Sequence, residues 1–91
     1  MTYIQRRIDI IEYTDIVLRS CMGDFNDYIT RQVVHVLIHE FITSLQTFRG
    51  IEFRVICDHT YNPSCMIDKG YLVVDISGYN IHRELSKRGL K

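Results

Sequence analysis

Charge of one sign is what this sequence lacks most clearly. Eleven Lys and Arg balance eleven Asp and Glu, for a formal net charge of zero. A general nucleic-acid binder carries a basic excess to neutralise phosphates, so that class is set aside. No apolar run approaches the roughly 20 residues that span a bilayer, which sets aside a membrane helix. The cysteines, Cys21, Cys57 and Cys65, are odd in number and irregular in spacing. They match neither a disulfide framework nor a paired zinc pattern, and free thiols are expected. The opening, Met1 to Arg7, has no apolar signal core and no small-residue cleavage site, so synthesis and retention in a cytoplasm are expected. Proline occurs once, as Pro63.

What is present centres on residues 51–79. Two runs rich in β-branched and aromatic residues flank a polar segment that holds Pro63 and the triplet Asp68-Lys69-Gly70. That pattern predicts a β-hairpin with a long connection. In the first run, 51–57, Ile51, Phe53, Val55 and Cys57 alternate with Glu52, Arg54 and Ile56. In the second, 71–79, Leu72, Val74 and Ile76 are expected to face helices, with Tyr71, Val73 and Tyr79 on the other side.

Upstream, Ile4, Ile8, Ile11, Leu18 and Met22 follow helical spacing with Asp15 interrupting the stripe, which predicts a helix over 4–22. Gly23 suits its C-terminal end, and Asp24 or Asn26 suits the cap of the next helix. That second helix is predicted over 27–48, closed by Gly50. Between 33 and 42, Val33, Val34, Val36, Leu37, Ile38, Phe41 and Ile42 are apolar, more than one small sheet can cover. From Asn80 the pattern dissolves into a basic tail with Arg83, Lys87, Arg88 and Lys91, and a short helix over 82–87 is expected there. The domain expectation is therefore 1–79 as one α+β unit and 80–91 as a tail. The fold expected is two helices packed on a small sheet built around one hairpin.

Such a unit has a physical deficit. A chain of 91 residues buries only about 60–65% of its unfolded surface, and a two-stranded sheet is marginal in water. Both strands would leave backbone edges open. Strands added from a neighbouring chain would close that deficit; an extra strand in cis, from 58–70 or 80–91, would do so equally well.

No active site assembles from the residues. His35 and His39 are four apart and share a helix face, but Val36 stands where a metalloprotease has its Glu base, so this is not HExxH. A histidine pair on the helix's polar side is the simpler reading. Cys57, His59 and Cys65 match no standard zinc spacing, and Asp58, Asn62 and Asp68 lack the acidic spacing of a calcium loop. There is no P-loop, GxGxxG or GxSxG motif. Neither catalysis nor a cofactor is expected.

The order of several short motifs adds a resemblance. Val55-Ile-Cys57-Asp58-His-Thr60-Tyr-Asn62-Pro63, followed by Ile67-Asp68-Lys-Gly70-Tyr-Leu-Val-Val, resembles the C-terminal, inner domain of contractile-tail sheath proteins. Tyr3-Ile4-Gln5-Arg6-Arg7 resembles the Tyr-Ile-x-x-Arg-Arg opening of that domain's first helix. The likeness covers residues 3–76. It departs at 78–80, where the sheath pattern continues through a proline, and the chain is short for a sheath subunit. Its size matches the related small baseplate proteins that initiate the sheath, although their Glu-Pro-Arg-type motif is absent.

The resemblance implies a structural protein of the virion, in a phage tail. It implies a ring, of hexameric type, around the tail tube, held by strand exchange with tail sheath, tube or baseplate proteins. Neither nucleic acid nor membrane is an implied partner. Candidate contact residues are Val33, Val36 and Ile42 on the second helix and Phe53, Val55, Tyr71 and Val73 on the strands. Arg6, Arg7, Arg83, Lys87 and Arg88 are candidates for charged contacts. A second reading from the same open edge and helix is a small cytoplasmic dimeric protein-binding module.

Overall fold

The computed structural model describes residues 2–20, 28–46, 50–58, 60–68, 70–86 and 89–90. Its elements are α1 (Tyr3–Ser20), α2 (Tyr28–Leu45), β1 (Arg54–Ile56), α3 (Ser64–Asp68), β2 (Tyr71–Ser77), β3 (Ile81–Ser86) and β4 (Gly89–Leu90). The strands form one antiparallel sheet in the order β1-β2-β3-β4. Helix α1 packs over β3 and β4, α2 packs over β1, and the two helices pack on each other. This is the expected α+β fold, two helices on a small sheet around the β1–β2 pair. Helix α2 ends at Leu45, with Gln46 outside it, short of the expected 48. The expected Gly23 and Asp24 or Asn26 boundaries, the end of the first helix beyond 20, and Lys87 and Arg88 lie outside the described residues.

Helix α1 starts on a side-chain cap. The Gln5 backbone N–H donates to the Thr2 hydroxyl at 3.0 Å, and the Gln5 amide reaches Asp9 one turn on, also at 3.0 Å. Thr2-x-x-Gln5 is a capping-box spacing. The buried face matches the stripe expected from the sequence only in part, at Leu18 and, packed at the core's margin, Ile11. Ile10, Thr14, Val17 and Leu18 are buried, whereas Ile4 is 70% exposed and Ile8 is also exposed. The helix is rotated so that Tyr3, Arg7 and Asp15 reach the sheet, and these polar anchors set its phase. Stacking of Tyr13 on Phe41, with ring centroids 4.0 Å apart, joins α1 to α2.

The core lies between helices and sheet. Val34, Ile38 and Ile42 of α2 meet Val55, Leu72, Val74, Ile76, Ile81 and Leu85 of the sheet, all at most 3% exposed. Leu72, Val74 and Ile76 face the helices as expected. Val73 and Tyr79, expected on the far side with apolar surface showing, are 2% and 0% exposed. Helix α3 packs on β2 within the segment read as turn alone. Tyr79 is enclosed where α1, the end of α2 and the start of β1 converge.

Two further corrections concern the strands. Residues 81–86 form a strand of the same sheet rather than a helix over 82–87. Gly78 and Asn80 take positive φ, 91° and 56°, and turn the chain back on itself. From there Ile81, Arg83 and Leu85 alternate onto the helix-facing side opposite Ile76, Val74 and Leu72. Gly78 also sits so close to β1's approach that an added Cβ would lie 2.2 Å from the Glu52 carbonyl oxygen. The extra strand is thus supplied in cis by the C-terminal segment.

Arg83 can occupy that apolar face because Asp15 meets it. Its Nε and Nη2 donate to the two carboxylate oxygens of Asp15, each at 2.8 Å. A bidentate pair of this kind neutralises both charges where either alone would be costly.

Strand β1 is three residues long rather than the seven of 51–57. Beyond it, the Asn62 side chain takes over the pairing. The Val73 N–H donates to Asn62 Oδ1 and Asn62 Nδ2 donates to the Val73 carbonyl, both at 2.8 Å. One amide side chain thereby serves the donor and acceptor that a strand residue would have served. Replacement of Asn62 by Ala leaves both Val73 groups without that partner and should lower unfolding stability by about 2–4 kcal/mol, read from urea or thermal melts. Thr14 gives the opposite expectation. Its hydroxyl is buried with no hydrogen-bond partner among the described residues, so Thr14→Val should raise stability by about 1 kcal/mol in the same melts.

Candidate assembly surface

Exposed features that could bind a partner occur on β1 and α2, and Ile4, Ile8 and Ile16 are also exposed on α1. β1 is the terminal strand of the sheet. Its free side borders a groove of about 460 Å³, lined by Gln32 and His35 of α2, by Arg54 to Asp58, and by Thr60 and Tyr61. The pairing of Arg54 with Ser77 and of Ile56 with Asp75 fixes which groups remain available. Val73, two residues before Asp75, turns its N–H and C=O toward Asn62 on the β1 side. Asp75 and Ser77 therefore turn theirs toward Ile56 and Arg54, and Val55 turns its own to the open edge. This edge can accept an extended segment by main-chain hydrogen bonding.

Helix α2 is wet and apolar at once on its outer side. Ile29 is 72% exposed, and Val33, Val36 and Leu37 are exposed one and two turns further on. That spacing continues as one stripe, which the hairpin leaves uncovered. The flank of α2 nearer β1 is polar. His35 and His39 stack there with ring centroids 6.0 Å apart, and His39 tilts against Phe53 at 5.2 Å. Among the described residues no group of three or more His, Cys, Asp or Glu is placed to hold a metal ion. Cys57 is buried and Cys65 exposed.

The twelve candidate contact residues separate into groups. Val33 and Val36 are exposed on the α2 stripe, and Phe53 is half-buried beside the open edge. Ile42, Val55 and Val73 have their side chains in the chain's own core, so a partner can reach Val55 only through its backbone. Tyr71 is half-buried on β2. Arg83 is held by Asp15. Lys87 and Arg88 lie outside the described residues.

Arg7 has an internal task as well. Its Nε donates to the Tyr79 carbonyl and its Nη2 to the Asn80 carbonyl, both at 3.0 Å. Tyr3 stacks on Tyr79 at 5.5 Å with planes 5° apart, and its hydroxyl reaches the Gly78 carbonyl at 3.4 Å. Arg6 lies near enough that its charge lowers the Tyr79 pKa, while burial, the larger effect, raises it above the ordinary tyrosine value. The opening motif Tyr3-Ile-Gln-Arg6-Arg7 is thus a clamp on the β2–β3 turn. Sequence reasoning missed this clamp, and it missed Asn62 as a strand substitute. Gly78-Tyr79-Asn80 before an alternating Ile81-His-Arg-Glu-Leu85 was the available signal for the turn.

No protein-family description matches the chain, and no solved structure matches it. One curated relative does. The tail sheath protein of Vibrio phage KVP40 is 37% identical over 54 residues, a span that covers 58% of this chain. The same span is 8% of that much longer protein. The chain is therefore similar, over more than half its length, to a small part of a phage tail sheath protein.

Proposed function

We propose that this chain is a structural, non-enzymatic component of a contractile phage tail, built like the inner domain of a sheath subunit. It takes its place as a ring around the tail tube, as a sheath-like or sheath-initiating layer. The observation that carries this reading is the 37% identity to a tail sheath protein. The architecture is consistent with it: an open β1 edge next to a groove, and an apolar α2 stripe left uncovered. In the ring, a strand from a neighbouring tail subunit adds to β1, and Val33 and Val36 pack on the next subunit. Exposed charges such as Arg54 and Glu52 set which strand fits. The localisation that follows is the virion, after synthesis in the host cell.

Quantitative mass spectrometry of purified, intact particles tests the reading. The expected outcome is this chain at a fixed ratio to the tube protein. A few copies would mark a single ring at the baseplate or neck, and copies rivalling the tube protein would mark a layer along its length. Absence from particles, with abundant soluble protein in infected cells, would overturn the virion assignment and favour a cytoplasmic binding module. A variant isolates the strand-addition step. Val55→Pro removes an N–H that points away from β2, so the chain's own ladder is preserved. Val55 is also a core residue, so the melting temperature should fall; at temperatures where its circular dichroism matches the wild type, its incorporation into particles should still fall by about tenfold or more.

A further inference from the structure

We propose that, in the free chain, the open edge of β1 pairs antiparallel with the same edge of a second copy, with the two-fold axis at Phe53. This goes beyond a place in the tail, because it concerns the chain before any assembly.

The backbone directions are fixed by the sheet. Arg54 and Ile56 turn inward to β2, so Val55 and, by alternation, Phe53 turn their N–H and C=O groups outward. An edge that pairs with no further strand among the described residues, with donors and acceptors facing outward, is a template for another strand. The bordering groove leaves it accessible.

Charge then selects the register. Residues 52, 54, 56 and 58 are Glu, Arg, Ile and Asp, and Glu52, Arg54 and Asp58 are exposed. When two identical strands pair about a two-fold axis, the residue on the axis meets itself, and its neighbours meet each other in reverse order. Centring on Glu52 sets Glu52 against Glu52, and centring on Arg54 sets Arg54 against Arg54. Centring on Val55 sets Glu52 against Asp58. Each of these places like charges directly opposite, which is destabilising. Centring on Ile56 would set Arg54 against Asp58, but it needs an extended strand through Thr60, where the chain already turns, with the Asp58 carbonyl accepting from the Asn62 N–H and the Asp58 side chain from the Thr60 N–H. Centring on Phe53 instead sets Glu52 against the second copy's Arg54, twice by symmetry. It also places Phe53 against Phe53, an aromatic cross-strand pair, and Ile51 against Val55. The Ile51 carbonyl already accepts from Gln46 Nε2 at 3.2 Å and retains a second lone pair for the ladder.

Within the tail reading, this pairing shields the edge until a neighbouring strand displaces the second copy. The experiment uses only the purified full chain, so its result is independent of whether particles contain the protein. Sedimentation equilibrium on the wild type should give a concentration-dependent dimer. Glu52→Arg alone, or Arg54→Glu alone, sets like charges opposite in both symmetric pairs and should weaken dimerisation by about tenfold or more. The double variant E52R/R54E recreates both opposite-charge pairs and should restore the wild-type constant to within about threefold. Both side chains are exposed, and circular dichroism confirms that each variant is folded. A wild type that is monomeric at the highest attainable concentration overturns the proposal. So does a dimer indifferent to the single reversals, or one that the double variant fails to restore.

Discussion

The turn at Gly78-Tyr79-Asn80 is the point on which the rest of the fold depends. Tyr79 is fully buried, and its neighbours come from nearly every part of the chain. Tyr3 stacks on it from the start of α1, Phe53 lies 6.4 Å away at the approach to β1, and its hydroxyl donates to Gln46 beyond α2. Arg7 holds the turn's carbonyls from α1. The backbone can fold back here because Gly78 takes φ of 91° with no Cβ to strike Glu52. The residue types required at 3, 7, 78 and 79 follow from one packing event. They give Tyr3 and Arg7 of the conspicuous opening motif a role in folding.

A similar dependence explains what could and could not be read from the sequence. The α2 periodicity and the alternation in 51–57 and 71–79 announced one helix and one strand pair, because burial there is purely apolar. Asp15 and Arg83 read as two unrelated anomalies, a break in a helical stripe and part of a charged tail. They lie 68 residues apart, and each is tolerated because of the other. No local window contains both, so β3 looked like a solvated tail. Asn62 was legible only as a turn residue, since its partner Val73 is defined by the fold. The candidate site was partly legible for the same reason. An unmatched apolar helix shows in composition, but whether Val55 offers a side chain or only a backbone depends on the register with Ile76.

The functional reading rests on the likeness to part of a tail sheath protein, and the incompleteness of the surface accords with it. The C-terminal strand answers the sheet's deficit on one side only. On the other, a three-residue β1 ends the sheet beside a groove, and α2 keeps exposed isoleucine and valine above it. Similarity to part of a tail sheath protein is in keeping with that incompleteness. Subunits of a repeating assembly need surfaces that are satisfied only by their neighbours.

The Asn62 amide carries a consequence for folding order. Its contact with Val73 closes a loop of 11 residues, whereas the clamp of Tyr3 on Gly78 spans 75. Loop-closure entropy grows with length, so the β1–β2 pair can be fastened by its own side chain before either long helix arrives. The α1 clamp must close later, over a framework already in register. In reverse, the clamp of the first turn of α1 on the β2–β3 turn is held by contacts of long sequence separation, and it should open before the Asn62–Val73 contact does.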